Sequence, residues 1–368
     1  MIPYGDYPDL SAIRKVLVIK LRHHGDVLLT SPIFSCLKKM IPGVSVDAFI
    51  YSETFPMLAG NPWLDTIHGY DNRWKKLPLG QRIRRELDLV RAIRSSRYDM
   101  VINLTEGDRG AIAGMVAGAA VRVGVDPGLD GVLAKKLFYT HIVKRSRNPR
   151  HIVEQHLDAL RKIGLFPAEE DRNLHLHIPA EDEERVGAFL RQEGIQSGKF
   201  IVMHLTSRWL FKCWPLEKNI QLIEALRERG IPIVLSASPD PVELDLIETI
   251  VKRCGERGVV SLAGKLSLKE LAALIRQSLC LFTIDSVPFH MASSLKKASV
   301  ALFGPSSELI WGPWRNEKGR VLVSQHSCRP CNLDGCGGGK VSDCMAAISV
   351  SQVLEALTDL ISSRGTGS

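Results

Sequence analysis

Four stretches of this 368-residue sequence place reactive or anion-binding side chains directly after an apolar, β-branched run. The run 15–21 leads into Arg22-His23-His24-Gly25-Asp26, one carboxylate and two imidazoles beside a flexible glycine. A carboxylate in that position can take the proton of a hydroxyl nucleophile. The same Asp26 can also cap the helix that follows, and the two roles are compatible. The run 200–205 leads into Thr206-Ser207-Arg208, with Lys212 ahead of Trp214-Pro215. Hydroxyls and amides suit phosphate oxygens and lysine neutralises them as a point charge, although a solvated basic loop would read the same way. The run 279–284 ends on Asp285-Ser286-Val287-Pro288-Phe289-His290, and the run 299–303 on Gly304-Pro305-Ser306-Ser307. A helix opening after Asp285, with Pro288 in its first turn, would turn unpaired amides and the positive helix end toward an anion. His290 taken alone reads as a core histidine.

These loops need a scaffold that brings strand ends together. Strands are expected at 15–21, 44–51, 98–104 and 121–124, and again at 200–205, 231–236, 259–262, 279–284 and 299–303. Between them the apolar residues recur at helical spacing, as in 27–40, 82–95, 151–164, 240–252, 267–277 and 287–295. On 82–95, Ile83, Leu87, Val90 and Ile93 form one stripe with arginines around it. Alternation of this kind in both halves predicts an α/β chain of two doubly wound parallel sheets, with ligands at the carboxyl ends of the strands in a cleft between domains. The expected domains are 1–178 and 179–349, with a polar linker around 173–182 and a closing amphipathic helix and tail at 350–368.

Composition sets limits. At 45% hydrophobic and 24% charged residues the chain is globular rather than disordered. The longest uncharged apolar run, 110–121, is too short to span a membrane, and the first ten residues lack the pattern of a secretory leader. Scattered thiols fit a reducing cytosol. The net charge of +8 is unevenly divided: residues 1–178 hold 26 basic against 19 acidic side chains, and 179–368 hold 22 against 21. The first half should therefore meet something anionic. Its densest cluster runs from Arg73 to Arg97 and includes Arg82, Arg84 and Arg85. A solvated helix face is the plain reading of such a cluster. Nucleic acid is not expected, because no stacking aromatics or nucleic-acid motif accompany the charge.

Two further groupings could hold metal. Cys328, Cys331, Cys336 and Cys344 lie close together among glycines, open to a structural zinc, a disulfide or free thiols. In His151-x-x-Glu154-x-His156 the histidines are five apart and share no helix face, so this reads as surface helix.

Lys20-x-Arg22-His23-His24-Gly25-Asp26-Val27-Leu28-Leu29-Thr30-x-Pro32 resembles the N-terminal signature of the lipopolysaccharide core heptosyltransferases, and its His-His-Gly-Asp form looks most like the branch called heptosyltransferase III. The Thr/Ser pair with Lys and Trp-Pro, the Asp-Ser-x-x-x-His element and the Gly-Pro-Ser-Ser loop are similar to that family too, in the same order across residues 14–310. The resemblance implies a GT-B fold and a metal-independent, inverting transfer of heptose from ADP-heptose to the inner core. It makes Asp26 the general base, Thr206, Ser207 and Lys212 diphosphate contacts, and Asp285, Ser286, Val287 and His290 part of the ADP-sugar site. Gly264, and Asp240 or Glu243, fall where the family holds adenine and ribose; Arg22, His23 and His24, and from their charge Arg82, Arg84 and Arg85, are expected at the acceptor. Val287 stands where the family usually has glycine, which puts close backbone approach to a phosphate in question. The implied partners are ADP-heptose, a lipid A–inner core acceptor and the inner face of the inner membrane, with no cofactor required. Heptosyltransferase I or II activity stays open, as does a basic glycolipid- or nucleic-acid-binding protein without catalysis. A nicotinamide enzyme would want G-x-G-x-x-G after the first strand, where only Gly25 is present.

Overall fold

The computed structural model describes residues 7–126, 135–255 and 257–362; the opening residues 1–6, where no leader is expected, and the tail beyond Ser362 lie outside them. The chain divides into two compact units, Met1–His177 and Ile178–Ser368.

In the first unit the strands are β1 (Lys15–Lys20), β2 (Ser45–Tyr51), β3 (Thr66–Tyr70), β4 (Met100–Asn103), β5 (Val121–Val125) and β6 (His141–Val143). They form one sheet in the order β3-β2-β1-β4-β5-β6, every pair parallel. Residues 16–19 of β1 are buried on both faces, which is why this strand reads as an unbroken apolar run. The helices are α1 (His24–Leu28), α2 (Ser31–Met40), α3 (Leu79–Ser95), α4 (Asp108–Val116) and α5 (Ile152–Arg161).

Two local expectations are corrected here. The helix expected over 27–40 is two helices. The Thr30 hydroxyl donates to the Val27 carbonyl at 2.7 Å, and Pro32, which has no N–H to continue the ladder, opens α2. On α3 the expected single stripe of Ile83, Leu87, Val90 and Ile93 is divided between buried and exposed residues. Ile93 is buried and Leu89 packs beside it, but Ile83, Leu87 and Val90 face outward.

The second unit repeats the plan with β7 (Ile201–His204), β8 (Ile233–Ser236), β9 (Val259–Ser261), β10 (Cys280–Ile284), β11 (Ser299–Phe303) and β12 (Gly319–Val323), in the order β12-β11-β10-β7-β8-β9. Its helices are α6 (Ala180–Gln192), α7 (Leu216–Glu228), α8 (Pro241–Cys254), α9 (Leu268–Gln277), α10 (Val287–Ser294), α11 (Glu308–Trp311), α12 (Asp343–Ala346) and α13 (Val350–Ser362). Both sheets show the doubly wound Rossmann order, whose strand sequence reverses between β1 and β4 and between β7 and β10.

Helix α13 is part of the second core rather than an appendage. Val353 and Leu357 are fully buried in one cluster with Ile284, Leu302 and Trp214. The Trp214 indole donates to the Ile348 carbonyl at 3.2 Å, and Lys218 Nζ donates to the same carbonyl at 2.8 Å. The Trp-Pro of the sequence motif is thus a structural clamp on the C-terminal segment. Among the described residues no helix is long and apolar enough to cross a membrane. Truncating Leu357 to alanine should cost about 2–5 kcal/mol of stability through transfer and cavity terms. Urea unfolding of the Leu357→Ala chain measures this, and an unchanged midpoint would show that α13 merely rests on the surface.

Candidate functional site

At the end of β1 the chain buries a charge. The Lys20 side chain is almost wholly enclosed, and its ammonium donates to the Leu104 carbonyl at 3.1 Å, just past β4. It also lies 3.1 Å from His156 Nε2. The other ring nitrogen, Nδ1, faces the Leu29 carbonyl at 3.2 Å and so carries the proton, leaving Nε2 to accept from Lys20. Burial, with Lys20 beside it, holds His156 well below its ordinary pKa. Burial also lowers Lys20, while the facing Asp26 pulls it back up. His156 is therefore not on the surface of α5, as its motif suggested. His151 is the N-cap of that helix and accepts from the Val153 amide at 3.2 Å, while Glu154 pairs with Arg161 and Arg172.

Asp26 sits 3.9 Å from the Lys20 ammonium with its side chain 16% exposed. It is not the cap of α1. His23 holds that position without capping the helix through its side chain, and Asp26 lies in the first turn. The carboxylate is thus backed by a fixed cation and remains open to solvent on its other side. His24 reaches across to the Glu53 carbonyl at 2.9 Å. Arg22 stays exposed and lies 3.7 Å from Glu106, which Arg145 also approaches, so the loops after β1 and β4 carry one shared charge cluster. Arg82, Arg84 and Arg85 of α3 are not gathered into one anion site. Arg82 turns to Glu86 at 3.2 Å, Arg85 lies one turn on, and Arg84 faces another way.

The second unit has a matching constellation at its own point of strand reversal. Lys212, from the loop after β7, pairs with Asp285, at the end of β10, at 2.5 Å, and both are largely enclosed. The ammonium also lies 5.1 Å from the Trp209 ring centroid. Ser286 caps α10 and exchanges a hydrogen bond with Thr283 at 3.0 Å. Val287 begins α10 and is not among the described non-glycine residues with positive φ, so its side chain strains nothing and its amide sits at the helix start. His290 is buried on the same helix, its ring against Phe289 and Trp311.

Thr206 departs from its expected role. It is buried, and its hydroxyl donates to Glu243 at 2.7 Å; the other Glu243 oxygen accepts from Ser238 at 2.6 Å. Ser207 is the more open of the pair and receives the Trp209 amide at 3.3 Å. Asp240 caps α8 through the Val242 amide at 2.9 Å, using one carboxylate oxygen. Gly264 has φ +70, a backbone conformation that favours glycine, and a Cβ there would press on the Leu244 side chain at 3.0 Å.

Glu106 was not singled out from sequence, and neither the pairing of Lys20 with His156 nor that of Thr206 with Glu243 was foreseen. Lys20 did leave a signal: a lysine closing a strand otherwise buried on both faces must have a partner. At 328–344 none of the four thiols forms a disulfide, and Cys344 is drawn into the core beneath Gly304 while Cys328 and Cys336 are exposed. They are not gathered as a zinc ion would need; among the described residues no three His, Cys, Asp or Glu side chains are.

Comparison with known proteins matches residues 86–341 to glycosyltransferase family 9 (heptosyltransferase). Lipopolysaccharide heptosyltransferase 3 of Escherichia coli is 31% identical over 296 residues, covering 80% of this chain and 85% of that protein. Among solved structures, the family 9 glycosyl transferase of Veillonella parvula superposes with a TM-score of 0.81 at 23% identity, over 98% of this chain and all of that one. The E. coli heptosyltransferase WaaC with ADP gives 0.74 at 19% identity, over 94% and 99%. The two Rossmann-like sheets are accordingly those of a GT-B enzyme, and the chain belongs to glycosyltransferase family 9, the heptosyltransferases.

Proposed function

We propose that this chain transfers heptose, with inversion, from ADP-heptose to a heptose of the lipopolysaccharide inner core, the activity named for its heptosyltransferase 3 relative. The observation that carries the reading is Asp26, held beside the buried Lys20 at the reversal point of the first sheet. Its exposed side is available to the acceptor hydroxyl. As that oxygen attacks the anomeric carbon, its proton passes to the Asp26 carboxylate. The bond from the anomeric carbon to the phosphate oxygen breaks, and its electron pair leaves with ADP.

The leaving diphosphate gathers charge that water would otherwise solvate. Lys212, Ser207 and the amides opening α10 are fixed groups able to take over that task. Lys212 is tied to Asp285 in this structure, so an incoming phosphate shares or displaces that carboxylate. Thr206 then acts through Glu243, by holding the loop, rather than by touching phosphate. The uncommitted oxygen of Asp240 is free to accept from a ribose hydroxyl, and the bare backbone of Gly264 leaves room for a base edge. His290 supports the helix start from within. On the acceptor side, Arg22, His23 and His24 flank Asp26, while Arg84 and Arg85 offer charge to a phosphorylated glycolipid. Such an acceptor is borne by a membrane, and anionic headgroups attract juxtamembrane basic residues. The reading therefore places the enzyme at the cytoplasmic face of the inner membrane.

Replacing Asp26 by asparagine should leave ADP binding within about twofold while lowering kcat by about 10²-fold or more. Retained turnover would remove Asp26 as the base. Lys20→Met should lower kcat with donor affinity unchanged, because it strips the partner of Asp26 without touching the nucleotide; steady-state kinetics with both substrates varied separates the two. Calorimetric titration should show heat with ADP and none with UDP or GDP. Lys212→Ala should weaken ADP binding and lower kcat by about 10²-fold, and a UDP preference would overturn the donor assignment.

A further inference from the structure

The outward face of α3 is apolar where a surface helix should be polar. Leu79, Ile83, Leu87 and Val90 are 71%, 47%, 46% and 37% exposed, and their spacing of four, four and three stacks them along one side of the helix. The helix already has its inward face, made by Leu89 and Ile93. The outer stripe adjoins that face and extends it onto the solvent side of the helix. Beside α3, the neighbouring α4 adds exposed Ile112 and Met115.

Cations flank this stripe. Arg84, Arg85, Arg91 and Arg94 are exposed on α3, and Lys75 and Lys76 precede it. Of the two carboxylates on the helix, Glu86 is turned to Arg82 and the Tyr70 hydroxyl, which leaves Asp88, beside Arg91, as the exposed one. An apolar stripe edged by cations matches a surface that is negative at its rim and hydrocarbon beneath. A protein partner would need carboxylates around an apolar knob, and a second copy of this chain would set arginine against arginine.

We propose that α3 lies in the plane of an anionic lipid surface, with Leu79, Ile83, Leu87 and Val90 seated among the acyl chains and the arginines at the headgroup phosphates. This deepens the membrane contact proposed above, which there rested on charge alone. The helix starts at the carboxyl edge of the sheet, the edge that carries Asp26, because a crossover helix runs back against its strands. A bilayer under the first turns of α3 would therefore present a headgroup glycan on the catalytic edge.

The test is flotation of the full chain with vesicles of phosphatidylcholine alone and of phosphatidylcholine mixed with phosphatidylglycerol, with no donor or acceptor present. The chain should float with the anionic vesicles, and raised salt should weaken binding without abolishing it. An Ile83→Ser/Leu87→Ser chain, first shown to melt like the parent, should lose about tenfold or more in partitioning while transferring normally to a soluble, delipidated acceptor. Leu87→Trp should fluoresce further to the blue on anionic vesicles and be quenched by brominated acyl chains. Absence of flotation, or flotation that the double substitution leaves intact, overturns the proposal. So does a parent dimer in sedimentation that the double substitution dissociates without any vesicle binding. Because the vesicle arm uses no sugar, its failure leaves the transferase reading standing, and loss of transferase activity leaves the vesicle result unaffected.

Discussion

The structure is governed by one topological constraint, the parallel direction of every strand. Parallel strands need crossovers that return on the faces of the sheet, so all strand ends of one sense gather on one edge. Where the strand order reverses, neighbouring crossovers depart to opposite faces and leave a gap. Asp26 and Glu106 follow the two strands beside that gap in the first sheet, and Lys212 and Asp285 follow their counterparts in the second. The chemistry of each unit is thus collected from distant parts of the sequence with no long loop reaching across.

The same gap brings charge into partly desolvated surroundings, and the two units handle it differently. In the first, Lys20 is the enclosed member. It leans on a carbonyl and a neutral imidazole and keeps only a long contact to Asp26. Removing one member of such a group strands the others without solvent, so it resists piecemeal change. In the second, Lys212 and Asp285 satisfy each other directly. That pair is compact and exchangeable, as suits a place where a charged ligand enters and leaves, whereas the Lys20 cluster is fixed.

The buried central strands were legible because burial on two faces leaves them little but Val, Ile and Leu. Three of the four edge strands, β3, β6 and β12, were not. They are half-exposed and mix His, Gly and Arg with apolar residues, so no clean period survives. The loops bearing Asp26, Lys212 and Asp285 could be found because each follows a legible strand. Thr206 was placed in the right loop with the wrong partner, since nothing local shows that Glu243, thirty-seven residues on, takes its hydroxyl. His156 was misjudged for the same reason: its partners Lys20 and Leu29 lie more than a hundred residues away. On α3 the helical period was legible but the burial of its residues was not, because spacing identifies an apolar face without saying what covers it.

The position of α13 bears on the order in which the chain acquires its structure. The core of the second unit is closed by Val353, Leu357 and Leu360, and Trp214 and Lys218 are anchored to the Ile348 carbonyl. During synthesis the first unit has all its strands and helices by residue 177, while in the second the face over β10, β11 and β12 that α13 packs on, beside α7, waits until residues near 360 have emerged. The first unit can therefore be folded while the second is still a nascent chain with part of an apolar face open, which makes that interval the one most exposed to aggregation and most in need of a chaperone.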